Sequence, residues 1–247
     1  MPLQRRLRNK FINSNSRSDL NKEKNKMTER KIVIPGETIA TGEDYLPGKG
    51  TEKKGNEIVA TVFGLAEEEN NLVKVIPLAG KYEPRRGNVI IGRVEMLTHN
   101  GWVIDFGNSE NAFLPLSETP RFVSKNALEE VMKVGEMAVV KIFAIAGRGV
   151  DVTIKERGLG KIEEGLIFKI NPNKVPRVIG KEGSMIKVIR DKTGCNITAG
   201  QNGFIWIVGD KIENELLAKR AVEFIAERSF VDGLTEKVEK FFSEEKE

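Results

Sequence analysis

Val178-Ile179-Gly180-Lys181-Glu182-Gly183-Ser184-Met185-Ile186-Lys187-Val188-Ile189 reads as two apolar helical half-patterns joined by Gly-x-x-Gly. Before the joint, Val175, Val178 and Ile179 recur at helical spacing, and Pro176 is compatible with a helix because it sits in a first turn, where its missing N–H costs nothing. After the joint, Ile186 and Ile189 continue the period, and Gly194 is placed to close the second helix as a left-handed cap. Helices linked this closely must turn sharply, and two glycines permit positive φ and close approach of another backbone. The joint also opens a helix, whose N-terminus carries unpaired N–H groups and a partial positive charge suited to a phosphate. A tight connection without a ligand is the competing reading, because so short a motif recurs by chance.

The surroundings favour the anion site. From Pro172 to Gly194 there are six basic residues, Lys174, Arg177, Lys181, Lys187, Arg190 and Lys192, against the acidic Glu182 and Asp191. Apolar strand patterns flank the helices at 166–170, 195–198 and 204–208. A further helix is expected to begin at Asp210, with its carboxylate as the cap, Glu213 at the capping-box position, and Leu217, Ala221, Phe224 and Ile225 as the apolar face.

Strand, helix, Gly-x-x-Gly, helix, strand, strand, helix resembles a KH domain, the module whose loop clamps the backbone of four nucleotides. The resemblance covers residues 165–232. It implies that Gly180, Lys181, Glu182 and Gly183 form the clamp and that Ile179, Ile186 and Ile197 form an apolar floor under the bases. Arg177, Ser184 and Lys187 complete the expected RNA contacts on this segment. Glu182 departs from the pattern, since it puts a carboxylate where a phosphate passes and so weakens the grip.

At 247 residues the chain has room for two or three small domains. No apolar run approaches the ~20 residues of a membrane span, and no secretory signal pattern opens the sequence, so a soluble, cytoplasmic protein is expected. A single cysteine, Cys195, excludes an internal disulfide and a cysteine zinc site, and its place at a strand start reads as a small buried residue. The net charge of +4 is misleading on its own. Residues 1–31 hold ten Lys or Arg against three Asp or Glu, which leaves the remainder net negative. A nucleic-acid argument therefore rests on the local patch around Gly180.

Residues 1–30 are rich in Asn, Ser, Lys and Arg with almost no apolar period, so a disordered basic tail is expected, with Met27 as a candidate native start. From 31 to 86, short β patterns separated by turn signals read as a small β domain in which acidic residues outnumber basic ones, a poor nucleic-acid surface better suited to docking on protein. From 87 to 160, five strand patterns at 89–94, 101–106, 112–114, 137–145 and 149–154, with a helical insert at 127–132, fit a five-stranded OB barrel. The expected fold is thus multidomain, mainly β followed by α+β. Residues 233–247 read as a last helix around Val238, Phe241 and Phe242 and a frayed acidic end.

Gly92-Arg93-Val94, Gly101 to Phe106 and Phe113-Leu114-Pro115-Leu116-Ser117-Glu118 resemble the S1-type RNA-binding domain. Asn100 and Val103 stand where that family places stacking aromatics, Pro115 replaces its histidine, and Trp102 points the other way if the strand alternates. Base–aromatic stacking is worth about 1–3 kcal/mol per base, so weak, backbone-led contacts are expected here. His99, the chain's one histidine, and Arg148, between the last two strands, are the candidate RNA contacts of the barrel.

The three-module order, with Val33-Ile34-Pro35-Gly36 and Gly48-Lys49-Gly50-Thr51 in the first module and Tyr82 to Val94 entering the second, closely resembles the RNA-binding cap subunits of the archaeal exosome. The resemblance implies three copies docked through their N-terminal domains on a hexameric ring of RNase PH-like proteins, with barrels around the entry pore and KH domains outside. It implies a non-catalytic part in RNA degradation: capture of single-stranded 3′ ends, with a preference for A-rich tails, and delivery to ring subunits that degrade 3′-to-5′ by phosphorolysis. No cofactor and no metal are expected, since RNA cleavage needs clustered carboxylates or a paired acid and base, and Glu67-Glu68-Glu69 reads as a solvated turn. Barrel-plus-KH combinations also occur in elongation factors, which leaves a free-standing transcription or translation factor as the alternative. An enzyme acting alone is the remaining class, and no constellation of residues supports it.

Overall fold

The computed structural model describes residues 31–124, 127–147, 149–229 and 233–245. The basic tail with Met27, and Arg148, lie outside the described residues. The chain divides into two compact units after Leu78.

The first unit is built from β1 (Lys31–Val33), β2 (Thr38–Thr41), β3 (Leu46–Pro47), β4 (Thr51–Lys54), β5 (Glu57–Ala60), β6 (Gly64–Glu69) and β7 (Leu72–Pro77). One sheet runs β1-β6-β7-β3 and a second β2-β5-β4. Val33, Ala60, Ala66 and Val75 form the core, with Ile39 and Val62 packed against it. The polar β4 pairs only with β5, and an edge position accommodates its Lys and Glu side chains. The run Glu67-Glu68-Glu69, expected as a solvated turn, is instead strand, in a β6 that is central to its sheet. Glu67 lies opposite Lys74 of β7, and the Lys74 ammonium bridges Glu67 at 3.1 Å and Glu69 at 3.4 Å. The two carboxylates are two residues apart, so they share a face and one cation serves both.

The second unit begins with β8 (Val89–Thr98), β9 (Gly101–Asp105), β10 (Ala112–Pro115), α1 (Leu128–Val131), β11 (Met137–Ala146), β12 (Gly149–Thr153) and β13 (Gly160–Lys161). The sheet order is β12-β10-β9-β8-β11-β13, and an additional β11–β12 pairing closes five strands into a barrel. Period-two alternation sends Trp102, Ile104 and Leu114 inward with Ile90, Val94, Val140, Ile142 and Val152. Trp102 is fully buried, and its indole donates to the Met132 carbonyl at 3.0 Å. The helix expected at 127–132 is a single turn whose flanking Leu128 and Met132 insert into this core. Tyr82 belongs to the second unit. It packs edge-on against Phe106 and donates to Asn88 Oδ1 at 2.7 Å, and burial pushes its phenol up to about 12.

The chain then forms β14 (Leu166–Lys169), α2 (Val175–Ile179), α3 (Ser184–Thr193), β15 (Asn196–Ala199), β16 (Phe204–Val208), α4 (Ile212–Glu227) and α5 (Leu234–Glu244). The antiparallel sheet runs β14-β16-β15, so β15 is an edge. One face of it and the helices share a core of Val175, Val178, Ile189, Ile205, Ile207 and Val222, among others. Helix α4 does not use the expected cap. Lys211 is the N-cap, and Asp210 sits one residue too early for its carboxylate to meet the first-turn amides. Glu215 reaches back instead to the Gly209 N–H at 3.0 Å.

The opposite face of this sheet meets the barrel. Ile167, Phe204 and Trp206 pack against Ile91, Val139 and Ile162. The β15–β16 turn is bonded to β8: the Gln201 amide donates to the Val89 carbonyl at 2.9 Å, and the Asn202 amide group donates to the carbonyls of Ile91 and Phe106. Among the described residues no helix is long and apolar enough to cross a membrane.

Candidate nucleic-acid interface

Helix α2 ends at Ile179 and α3 starts at Ser184, so Gly180 to Gly183 make the whole connection. Gly180 has φ +74° and Gly183 φ +78°. Their requirements differ. A Cβ at Gly180 would lie 2.7 Å from the Met185 nitrogen, whereas one at Gly183 would meet nothing within 4 Å. The first glycine is needed for packing and torsion, the second for torsion alone. Glu182, at φ 54° and ψ 28°, holds a left-handed conformation that L residues rarely take.

The five amides of the turn are not equally open. Gly180 N–H donates to the Pro176 carbonyl at 3.0 Å, Gly183 N–H to Gly180 at 3.3 Å, and Ser184 N–H to Lys181. The amides of Lys181 and Glu182 have no acceptor among the described residues. Both of these residues are exposed, and Lys181, Lys187, Arg190 and Lys192 project from the turn and from α3 into solvent. Lys181 and Lys187 make no ion pair with any other described residue. The bare helix start expected from the sequence is therefore narrower: three of the five amides are already bonded to carbonyls of the segment itself.

Arg177 and Ser184 are exposed beside the turn, and Ile179 and Ile186 are half-buried and packed against the core. Ile197 is placed differently. It is 6% exposed and belongs to the core, because alternation along β15 turns it toward the helices. Cys195 is fully buried before β15, and burial raises its thiol pKa, which makes it unreactive.

On the barrel, Asn100 and His99 are exposed in the β8–β9 loop, and the Asn100 carbonyl accepts from the Leu116 N–H at 2.9 Å. Val103 lies on the outer face, with Phe113 directly opposite it on β10 and also turned outward. The alternation Ala112-Phe113-Leu114-Pro115 already carried that signal, yet Phe113 did not figure among the sequence candidates. Lys155 and Glu118 pair at 3.0 Å at the same end of the barrel. Among the described residues no group of three or more His, Cys, Asp or Glu is arranged to hold a metal ion.

Three family models match successive stretches of the chain: "Exosome RNA binding protein RRP4 N-terminal domain" over residues 30–79, "RRP4, S1 domain" over 81–143 and "KH domain" over 165–224. An exosome complex component Rrp4 from Methanothermus fervidus is 41% identical over 214 residues, which span 86% of this chain and 95% of the relative. The chain belongs to the Rrp4 family. A second Rrp4, from Nitrosopumilus maritimus, is 37% identical over 89% of this chain and 98% of its own length. A crystal structure described as a candidate exosome complex RNA-binding protein superposes with a TM-score of 0.61 at 32% identity, covering 68% of this chain and 98% of that one. The N-terminal β domain, S1 barrel and KH domain of the Rrp4 family are thus all present, in that order.

Proposed function

We propose that this chain is a non-catalytic RNA-binding subunit of an exosome, and that it captures single-stranded 3′ ends and passes them through a pore to a phosphorolytic ring of RNase PH-like subunits. The observation that carries the reading is the turn at Gly180–Gly183, where two left-handed glycines frame the exposed Lys181 and Glu182 and further exposed basic side chains, Lys187, Arg190 and Lys192, lie on the helix that follows. Gly180, Lys181, Glu182, Gly183 and Ser184 hold phosphates, with Arg177 and Lys187 adding charge, while Ile179 and Ile186 lie under the bases. His99 extends the path onto the barrel. A preference for A-rich tails and a cytoplasmic place of action belong to the same reading.

Docking is assigned to the N-terminal unit. Ile32, Leu65 and Ile76 are cross-strand neighbours on β1, β6 and β7, and Ile32 and Ile76 stay 51% and 41% exposed, an apolar row suited to a protein surface. Three copies per ring are expected. The test mixes the purified chain with labelled oligoadenylate, Mg²⁺ and phosphate, with and without reconstituted ring. The expected result is binding without shortening by the chain alone, and faster shortening when the ring is added. Absence of binding, or shortening by this chain by itself, refutes the proposal.

A further inference from the structure

Phe122 is 98% exposed, whereas the other exposed large hydrophobic residues among those described range from 40% to 71%. A phenylalanine with essentially its whole ring in water contributes nothing to folding, and its segment is held rather than loose. Thr119, 6% exposed, has its hydroxyl 2.8 Å from the Leu116 carbonyl and 2.7 Å from that of Arg121, and its amide donates to Leu116. Val123, on the far side, packs into the barrel core. The backbone is thus tied on both sides of Arg121-Phe122, which leaves these two side chains presented to solvent. Leu116, the anchor of Thr119, is also the residue whose amide bonds Asn100, so this loop and the His99-Asn100 loop share one end of the barrel.

We infer that Phe122, with Arg121 beside it, is a base-stacking site for single-stranded RNA at this end of the barrel. Asn100, Val103 and Pro115 are non-aromatic and the outward Phe113 is partly buried in the sheet, while the ring of Phe122 stands free in the adjoining loop with Arg121 next to it in the chain. A planar ring open on both faces and a neighbouring cation are the parts from which sequence-tolerant base contacts are made. An apolar pocket on a protein would take the same ring. The flanking arginine and the shared rim with His99 favour RNA. The site rests on the RNA-binding reading above and adds to it a contact outside the KH domain.

The test uses the full chain and fluorescein-labelled single-stranded oligoadenylate. Phe122→Ala and Phe122→Leu are expected to weaken binding at least about fivefold with unchanged melting temperature, Leu failing because it keeps apolar bulk but offers no π face. Phe122→Trp is expected to retain affinity, and its added emission to be quenched along the same titration curve. Wild-type affinity in Phe122→Ala overturns the site while leaving the KH clamp intact. RNA affinity retained with loss of binding to the ring also overturns it, by making Phe122 a protein anchor. A wild-type chain that binds no RNA overturns both readings together.

Discussion

Asn202 holds Ile91 by both of its backbone groups: the Ile91 N–H donates to Oδ1 at 3.2 Å, and Nδ2 donates to the Ile91 carbonyl at 2.7 Å. The second Nδ2 proton goes to the Phe106 carbonyl at 2.9 Å. One side chain in a KH turn thereby completes the hydrogen bonding of two barrel strands, in a place where Asn202 is 2% exposed and water is kept out. Asn202→Ala leaves three buried backbone groups without a partner. The expected loss is about 3 kcal/mol, read as a lower urea midpoint, with barrel and KH signals no longer unfolding together. A coincident, unshifted transition would show that the apolar contacts and the Gln201–Val89 backbone bond join the domains without Asn202.

The two glycines of the turn separate by mechanism. Gly180→Ala drives a methyl into the Met185 backbone and is expected to cost about 2–4 kcal/mol, from overpacking and the left-handed torsion together. Gly183→Ala meets open space, so only the torsional term of about 1–2 kcal/mol remains. Thermal melts of the two variants check the order, and equal destabilisation would contradict the geometry.

Lys181 and Glu182 are neighbours with opposite expected effects on RNA. Lys181→Ala should weaken binding and lower the slope of log K against log salt by about 0.7, the share of one single-strand phosphate. Glu182→Gln removes an exposed carboxylate from the phosphate path, and affinity should rise by up to about fivefold. Anisotropy titrations over a salt series measure both. A weaker Glu182→Gln would mean that its carboxylate contacts a donor on the RNA.

The carboxyl of Glu118 is held below its ordinary value by Lys155 first and by Thr153 second. A folded pKa below the unfolded one means stability that is present above the unfolded value, 4.5, and is lost as pH falls through the folded one. Wild type should therefore exceed Glu118→Gln in stability at neutral pH, with the gap closing under acid. The pair is partly exposed, so the gap should also shrink in high salt. Urea midpoints across pH decide it, and a gap that persists in acid would rule out the ion pair as its source.

Much of the fold is written in short-range pattern. The period-two runs at 89–94 and 101–106 and the helical spacing of Val175, Val178, Ile186 and Ile189 fall on the observed elements, and Gly194 closes α3 at φ +72°. These features are local because torsions and side-chain periodicity depend on neighbours a few residues away. One miss is a matter of a single residue, the cap at Lys211 rather than Asp210, and the others come from partners outside the local run. Glu67 to Glu69 read as loop because the partner that neutralises Glu67 and Glu69, Lys74, is supplied by the next strand. Alternation set which residues of β15 share a face with Ile197, but only the packed helices decided that this face is the core.

The sequence by itself determined the three modules, the Gly-x-x-Gly turn and the lack of aromatics at the barrel's usual stacking positions. The tertiary structure alone decided which amides of the turn remain open, that Phe122 stands free, and that Asn202 fastens the KH domain to a strand 111 residues away. Such contacts exist only after both segments have folded and met, because they depend on the mutual placement of surfaces that no local spacing encodes.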